Sequence, residues 1–556
     1  MKHYKLFLII LSCYCIFACV SQKQIATKPR IITSGFTKKQ TLTEEEKKNW
    51  HFKDIYEDSI PGISLYKAYG FLKNRRLNDT VIVAVIDSEL NIKADVFKSN
   101  LWVNKDEIPN NKLDDDKNGY VDDFNGWNFL TNSKGNYTKF YHFESTRILK
   151  QTIPFLKNST DTIVALGSKY EIYKKAQKDF STQLKSAERR QKHGNYLTEN
   201  YDKAYALVNE FFPNKNYTAK KLDSLYLALK DSDKEKANLV YFVSDCIKYD
   251  LTKEWIDTYK LNSDNLIDKC LNLDYNEREN IGDNPNDIND SIYGTARIYN
   301  DIDLSFHSSQ VSAILVNHNK SKFLKIMPIV ISAHGDEHDK DIAIAIRYAT
   351  NNGAKIINMS LGKELSYNKE WIEDAVKYAE SKDVLIVYAV GNDAKNVNNL
   401  ENKYYPNDVD DNNGNEIVEN FIAVGSSTKS FDKNLVSNFS NYNNKHVDIF
   451  APGDSIYVYS PDGSNYYNSG TSLATPMVSK IAGIVRSYYP NLTAPEVKQI
   501  IMESGVSYDI MVNKPSASKE KELVPFSSLS KSGKIVNAYN ALLMAEEVSK
   551  KKKKRK

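Results

Sequence analysis

Apolar residues along the chain form short β-branched runs that alternate with segments of helical spacing. TVIVAVIDS (80–88) is the first such run, and KIMPIVISA, AKIINMSLG and DVLIVYAVGN follow after residue 320. Continuous apolar runs of this length are typical of strands buried on both faces, as in a parallel sheet. Between them, DKDIAIAIRYATNNG and KEWIEDAVKYAES repeat apolar residues on one helical face. This alternation predicts an α/β fold in which helices flank a parallel sheet.

Residues 134–290 interrupt this alternation. They are rich in Lys, Asp, Asn and Tyr and contain helical stretches such as TQLKSAERRQKH, but few strand signals. We therefore predict a mostly helical insertion that divides one α/β domain into a first part at 50–133 and a second part at 291–548.

The N-terminus has the pattern of an export signal. A basic start, MKHYK, precedes the apolar run LFLIILSCYCIFA, which is short for a membrane span. The Ile-Phe-Ala-Cys ending resembles the lipobox of bacterial lipoproteins, which implies that 1–19 is a signal peptide and that Cys19 is lipidated. Simple cleavage and a retained anchor are the alternatives. The polar residues 20–49 are predicted to be a tether.

The charge of the chain gives no signal of nucleic-acid binding. The formal net charge is +4, but residues 550–556 contribute seven positive charges, so the rest of the chain is slightly acidic. We predict that the basic tail at 549–556 is disordered and solvated, and contact with anionic lipid is the alternative. Cys246 and Cys270 lie outside the signal and could pair after export, but they imply no disulfide framework.

The stretch SGTSLATPMVSKIAGIV, residues 469–485, places Ser472 at the start of a predicted helix. Free N–H groups and the helix dipole favour negative charge at such a position, although an ordinary N-cap serine is the alternative. The uninterrupted string Gly-Thr-Ser-Leu-Ala-Thr-Pro resembles the nucleophile motif of the subtilisin-like serine peptidases (subtilases). The resemblance implies a subtilisin-like fold, with helices on both faces of the sheet, and a nucleophilic Ser472.

The same resemblance assigns roles to residues at the ends of other predicted strands. It implies that Asp87 of Val-Ile-Asp-Ser is the catalytic aspartate and that Asn392 is the oxyanion-hole side chain. It further implies a substrate-binding edge and a pocket floor, formed respectively by Ser360, Leu361 and Gly362 and by Ala389, Val390 and Gly391.

Among nine histidines, His307 is the best candidate for the catalytic base, since it begins a predicted helix and lies between Asp87 and Ser472 in the chain. Its context, His-Ser-Ser-Gln-Val-Ser-Ala, departs from the family's His-Gly-Thr-His-Val-Ala-Gly at five positions. Glu89 also replaces the usual glycine two residues after the aspartate. A zinc site at His334 and His338 is the weaker interpretation of HGDEH, which we predict to be a surface loop.

An acidic segment, KLDDDKNGYVDDFNGWNF at 112–129, has the spacing of a calcium loop. The candidate ligands are Asp114, Asp116, Asn118, Tyr120 through its carbonyl, and Asp122. Asn125 stands where an EF-hand has glutamate, so this is not an EF-hand, and an acidic turn without metal is the alternative.

The leading hypothesis is an exported, lipid-anchored serine endopeptidase that uses an Asp-His-Ser triad and an acyl-enzyme. It predicts polypeptide substrates, membrane contact through the lipid, no nucleic-acid partner and a monomer. The chemistry is expected to need no cofactor, and the candidate calcium ion would be structural. The alternative is a weakened or inactive subtilase that binds peptides or acts as a scaffold.

Overall fold

The computed structural model describes residues 31–33, 42–132, 134–156, 161–317, 323–398 and 402–555. Cys19 and the predicted signal peptide lie outside these residues. The strands are β1 (Ile31–Thr33), β2 (Val81–Asp87), β3 (Trp127–Asn128), β4 (Leu324–Val330), β5 (Ile356–Met359), β6 (Leu385–Ala389), β7 (Phe421–Ser427), β8 (Ile449–Pro452), β9 (Ile456–Val458), β10 (Tyr466–Asn468), β11 (Val506–Asp509), β12 (Met511–Asn513), β13 (Leu523–Pro525) and β14 (Lys534–Ile535).

The α-helices begin and end as follows: α1 (Glu44–Asn49), α2 (Leu65–Leu72), α3 (Asp95–Lys98), α4 (Glu144–Leu156), α5 (Thr162–Leu166), α6 (Tyr170–Phe211), α7 (Ala219–Leu229), α8 (Lys234–Lys248), α9 (Lys253–Asn265), α10 (Phe306–Val316), α11 (Asp339–Asn351), α12 (Lys369–Ser381), α13 (Thr471–Tyr488), α14 (Ala494–Ser504) and α15 (Ala538–Arg555). Short 3₁₀ turns occur at Trp50–Phe52, Gly167–Lys169 and Phe526–Ser528, and a π-helical turn at Leu266–Cys270.

Ten of the described strands form one sheet in the order β1-β11-β14-β8-β7-β6-β5-β2-β4-β3. Neighbouring strands are parallel except β11 and β14. Strands β5 to β8 are buried at every position, as their continuous apolar runs predict. The parallel α/β fold expected from the sequence is confirmed.

Helices cover both faces of this sheet. Leu324 of β4 faces α13, since a Cβ on Gly483 would stand 2.3 Å from the Leu324 Cδ2 atom. Leu324 is in register with Val81 of β2, so Ile82, the next residue of β2, points to the opposite face of the sheet. There the Cδ1 atom of Ile82 lies near Gly353, just after the end of α11.

The span 134–290 folds as helices α4 to α9, which bury two apolar clusters of their own. The second cluster also includes Leu365 of the α/β domain, so the insertion packs on that domain as well as on itself. Cys246 and Cys270, predicted to be able to pair, are separate buried thiols.

Basic residues at the C-terminus are helical in the structure, in contrast to the predicted disorder. α15 runs through them to Arg555, and Lys552 forms an ion pair with Glu496 of α14 at 2.7 Å. Within the described parts of the chain, none of the helices combines the length and apolarity that a membrane crossing requires.

Candidate active site

Asp87 is the last residue of β2 and lies at the carboxyl edge of the sheet, where open α/β sheets place their sites. Its side chain is 1% exposed. One oxygen accepts a hydrogen bond from the backbone N–H of Ser88 at 2.6 Å. The carboxylate is therefore buried and held in one orientation by its own turn.

His307 lies against this carboxylate. Its Nδ1 atom is 2.8 Å and 3.0 Å from the two oxygens of Asp87, so we assign the Nδ1 proton to this contact. Burial of the imidazole opposes protonation, but the Asp87 charge and hydrogen bond outweigh it and raise the pKa of His307, and Glu337 acts in the same direction. The side chain remains 43% exposed, which leaves Nε2 available to the cleft.

The unusual residues after His307 are buried between α10 and its neighbours. Every residue from Ser308 to Val316 is buried, and α10 packs against α13. Gln310 is paired on both sides of its amide, donating to the Tyr466 hydroxyl at 2.9 Å and accepting from Asn468 at 2.8 Å. In this chain, Gln310 thus ties the His307 helix to β10.

Serine hydroxyls occupy the tight positions of the same helix. The Oγ atoms of Ser308, Ser309 and Ser312 are buried and have no hydrogen-bond partner within the described part of the chain. The backbone N–H of Ser308 donates to Ser88 Oγ at 3.2 Å, which links His307 to the residue that follows Asp87. The departures from the family motif are therefore accommodated as small packed side chains.

Glu89, the second departure, holds the segment that leads into α10. Its buried carboxylate accepts hydrogen bonds from the backbone N–H groups of Asn300 (2.6 Å) and Asp301 (2.8 Å) and from the Asn300 amide (2.6 Å). A glycine could make none of these contacts. Glu89 therefore fixes the approach to His307 from the strand that carries Asp87.

Ser472 is the second residue of α13 and lines the same cleft as Asp87 and His307. Its carbonyl accepts a hydrogen bond from Ser360 Oγ at 2.8 Å, which connects the helix start to the end of β5. Among these described side chains, no hydrogen bond joins His307 to Ser472. Such bonds are often long before a substrate closes the site.

Asn392 is oriented by the residue before Ser472. Its Oδ1 atom accepts hydrogen bonds from the backbone N–H (2.8 Å) and the hydroxyl (3.0 Å) of Thr471. With the oxygen held in this way, the Nδ2 group is the free donor. A Cβ built on Gly470 would stand 3.8 Å from Asn392 Nδ2 and 3.0 Å from Ser472 Oγ. Both groups therefore lie next to the backbone of Gly470.

The cleft has a volume of about 310 Å³. Ser360, Leu361 and Gly362 line it, as do Ala389 and Gly391, whereas Val390 lines a different cavity. The cleft also contains residues to which the sequence assigned no role: Ser88, Ser332, Ala333, Glu337, Tyr404 and Thr471. Ser88 and Thr471 adjoin recognisable motifs, but no local pattern identifies the others.

Glu337 connects the cleft with the insertion. Its carboxylate accepts from Ser332 Oγ at 2.7 Å, and burial raises its pKa. Its carbonyl accepts hydrogen bonds from Lys363 at 2.6 Å and from Arg147 of α4 at 3.3 Å. Lys363 also contacts Glu144 at 2.9 Å. The insertion is thus joined by buried charges to two segments of the cleft.

The acidic segment gathers a somewhat different set of ligands from the predicted one. Oxygen atoms of Glu107, Asp114 and Asp116 lie within 4.8 Å of one another. Asn118 donates to Asp116 at 3.0 Å, whereas Asp122 instead accepts from the backbone N–H groups of Asn111 and Lys112 at 3.1 Å and 2.9 Å. The Tyr120 ring is buried against other aromatic rings.

Glu107, which the sequence analysis missed, has a buried Oε2 atom that has no hydrogen-bond partner among the residues that the structure describes. Such an atom fits a cation ligand, and the oxygen-only donor set suits calcium.

The two histidines of the weaker zinc interpretation, His334 and His338, lie away from this cluster. His334 stacks on Phe140, and His338 caps α11 by accepting from the Lys340 N–H at 3.2 Å.

Comparisons with known proteins identify the family of this chain. The model of the subtilase family (Peptidase S8) matches residues 78–527. The chain is 30% identical over 267 residues to the cell wall-associated protease of Bacillus subtilis, covering 46% of this chain and 27% of that protein. It is 36% identical over 146 residues to thermitase of Thermoactinomyces vulgaris, covering 26% and 45%. The matched region therefore spans less than half the length of these two relatives.

Among solved structures, one that describes subtilase cytotoxin SubAB assembly is 23% identical and covers 46% of this chain and 81% of that chain, with a TM-score of 0.37. A cold-adapted subtilisin-like serine proteinase is also 23% identical, covers 41% and 74%, and has a TM-score of 0.31.

Proposed function

This chain belongs to the subtilase family, and from that premise we propose that it is an exported, lipid-anchored serine endopeptidase. The observation that carries the proposal is the 2.8 Å contact between Asp87 and His307 in the cleft that also contains Ser472 at a helix N-terminus. A buried carboxylate, a partly exposed imidazole and a serine in one cleft are the components of acyl transfer.

In the proposed reaction, Asp87 keeps the Nδ1 proton of His307 in place and stabilises the imidazolium that forms. His307 Nε2 removes the proton from Ser472 Oγ as that oxygen attacks a peptide carbonyl, and the carbonyl oxygen becomes an oxyanion. The amide of Asn392 and the backbone N–H of Ser472 donate to it, and each donor of this kind is worth roughly 3 kcal/mol.

Collapse of this intermediate breaks the C–N bond. The leaving amine takes the proton from His307, and the acyl group remains on Ser472 as an ester. Water then attacks the ester with His307 again as base, which releases the carboxylic acid and restores the hydroxyl.

The proposal is tested by labelling the folded protein with a fluorophosphonate probe, which forms a stable bond with an activated serine. We expect labelling of the native protein and none of Ser472→Ala. Ser518→Ala, a change at an exposed serine, is the control and should label normally. Absence of labelling of the folded native protein would contradict the peptidase proposal and favour the alternative of a non-catalytic, peptide-binding or scaffold subtilase.

The proposed anchor is lipid attached to Cys19 after export. The predicted tether at 20–49 is shorter in this proposal, because β1 pairs with β11 and α1 is helical, so the segment before β1 is the tether. Support comes from the apolar N-terminal run and the Ile-Phe-Ala-Cys sequence. In a bacterial host, native protein should incorporate an alkyne-labelled fatty acid and sediment with membranes. Cys19→Ala should do neither, and membrane association of this variant without the label would contradict the proposal.

We also propose a structural calcium ion held by Glu107, Asp114 and Asp116. The three carboxylates converge, and one buried oxygen lacks any other partner. A bound cation would neutralise their repulsion and stabilise the loop. It takes no part in the peptide-bond chemistry.

A further inference from the structure

The ring of Tyr404 lies between the two walls of the cleft. A Cβ built on Gly362 would stand 2.5 Å from the Tyr404 Cε1 atom, and one built on Gly391 would stand 3.0 Å from the same atom. Distances this short are below or at the edge of normal carbon contacts. The edge of the ring therefore fills the space between Gly362 and Gly391.

A second cavity lies behind the ring. Its volume is about 100 Å³. Val390, Tyr388, Phe421 and Ala423 belong to the apolar part of its lining, and polar and charged residues including Lys403, Asp408 and Asp411 form the rest. Tyr404 is the residue that lines both this cavity and the cleft with Ser472. Along the β6 end, Ala389 and Gly391 face the cleft while Val390 faces the cavity, so the ring separates the two spaces.

Tyr404 stands on a segment that is tied to the opposite wall. The neighbouring Tyr405 exchanges backbone hydrogen bonds with Lys363, at 2.9 Å and 2.8 Å. The Tyr404 carbonyl also accepts a bond from the Asn407 amide at 2.8 Å. Because Lys363 directly follows Gly362, the ring is held in register with the wall that it contacts.

We propose that Tyr404 determines specificity by closing the pocket for the side chain that precedes the scissile bond, so that this protein cleaves after small residues such as Gly, Ala and Ser. The inference rests on the proposed function and specifies its substrate class. A larger side chain would need the volume that the ring occupies. The cavity beyond it would accept such a side chain only once the ring is removed.

The test compares kcat/KM for a peptide series in which the residue before the cleaved bond is Ala, Leu or Phe. We expect kcat/KM of the native enzyme to be about 10- to 100-fold higher for the Ala peptide than for the Phe peptide. Tyr404→Gly should join the cavity to the cleft and reverse the preference. Tyr404→Phe, which keeps the ring, should retain it, and Tyr249→Ala, at an exposed tyrosine of the insertion, should leave it unchanged.

The inference is overturned if the native enzyme cleaves after Phe as well as after Ala, or if Tyr404→Gly is labelled by the fluorophosphonate but gains no activity after Phe. Affinities of Ser472→Ala for peptides that end in Ala or Phe supply the same comparison without turnover. These affinities test the pocket even if labelling fails, so the two proposals can fail separately.

Discussion

At the scale of single residues, the environment of His307 controls its charge. One edge of the imidazole contacts the buried Asp87, and Glu337 lies in the same cleft. Both negative charges favour the imidazolium, which raises the pKa of His307 despite its burial. Since the proposed base must be neutral, this shift sets the lower pH limit of activity.

We expect kcat/KM to rise with pH and to reach half its plateau above pH 6.5, the ordinary value for histidine. Glu337→Gln should lower this midpoint, because it removes a negative charge that favours the protonated form. The pH–rate profiles of both proteins between pH 5 and 9 provide the measurement. A native midpoint below 6.5 would contradict the raised pKa of His307.

Glu89→Ala tests the link between the aspartate strand and the histidine helix. The change removes the acceptor of three part-buried hydrogen bonds, so the backbone N–H groups of Asn300 and Asp301 lose this partner, while the Asn300 amide keeps Thr131 Oγ1 as an acceptor. We expect the free energy of unfolding to fall by roughly 3 kcal/mol and kcat to fall more than KM rises. Urea unfolding and steady-state kinetics provide the measurements.

Its control is Glu547→Ala, at an exposed glutamate of α15. If Glu89→Ala and Glu547→Ala have the same small effect on kcat, Glu89 does not position His307.

At the scale of elements, α10 packs against α13, and Lys480 in the middle of α13 fixes the C-terminal end of α10. Near their N-termini, His307 and Ser472 line one cleft. At the other end of α10, the fully buried Lys480 of α13 donates to the carbonyls of Ile314, at 3.0 Å, and Asn317. Burial lowers the pKa of Lys480 to about 7. These contacts satisfy carbonyls at the end of α10 and fix its position along α13.

Arg147 is one of the buried charged residues that hold the insertion to the cleft. Arg147 of α4 donates to the carboxylates of Glu277 and Glu144 and to the carbonyls of Asp336 and Glu337. It is 4% exposed. The insertion therefore supports the loop beside His307.

Arg147→Met should destabilise the protein by about 3–5 kcal/mol, because it removes the arginine from the buried carboxylate of Glu277 and leaves Glu144 with Lys363 as its ion-pair partner. It should also lower kcat/KM through movement of the 336–337 loop. Thermal unfolding and peptide hydrolysis provide the measurements. Arg189→Met, on the exposed face of α6, is the control. An insertion that is independent of the cleft would show lost stability with unchanged kcat/KM in the Arg147 variant.

At the scale of the whole molecule, the acidic loop connects the first part of the domain with the second. The Asn104 amide bridges Asp116 (2.9 Å) and Asp123 (2.8 Å), and Asp123 accepts from the Tyr348 hydroxyl of α11 at 2.7 Å. A cation at this loop would therefore stabilise contacts across the fold.

Calcium should raise the melting temperature of the native protein, and chelation should lower it. At a calcium concentration of 100 times Kd, the gain is about 2.7 kcal/mol. Differential scanning calorimetry of Asp116→Asn should show no calcium effect. Asp122→Asn removes a loop contact outside the cluster, so it should lose stability but keep its calcium response. Equal responses of native protein and Asp116→Asn would exclude the site.

Much of the fold could be predicted from local patterns. Runs such as VIVAVID and LIVYA form buried strands because their apolar β-branched residues favour sheets covered on both faces. The predicted disorder of the basic tail was wrong, because α15 continues through these residues to Arg555. Its lysines keep their charges in water or beside glutamates while the backbone stays helical.

The sequence by itself determined the order of strands and helices, the family and the candidate residues Asp87, Ser472 and Asn392, since these depend on local periodicity and contiguous motifs. Only the tertiary structure brought Asp87 against His307, 220 positions away in the chain. It also placed Glu107 with Asp114 and Asp116, and Tyr404 between Gly362 and Gly391. The contacts of His307 and Tyr404 join residues that are distant in the chain, and they form when parallel strands bring their carboxyl ends to one edge of the sheet. Glu107 meets Asp114 and Asp116 because the loop between α3 and β3 folds back on itself.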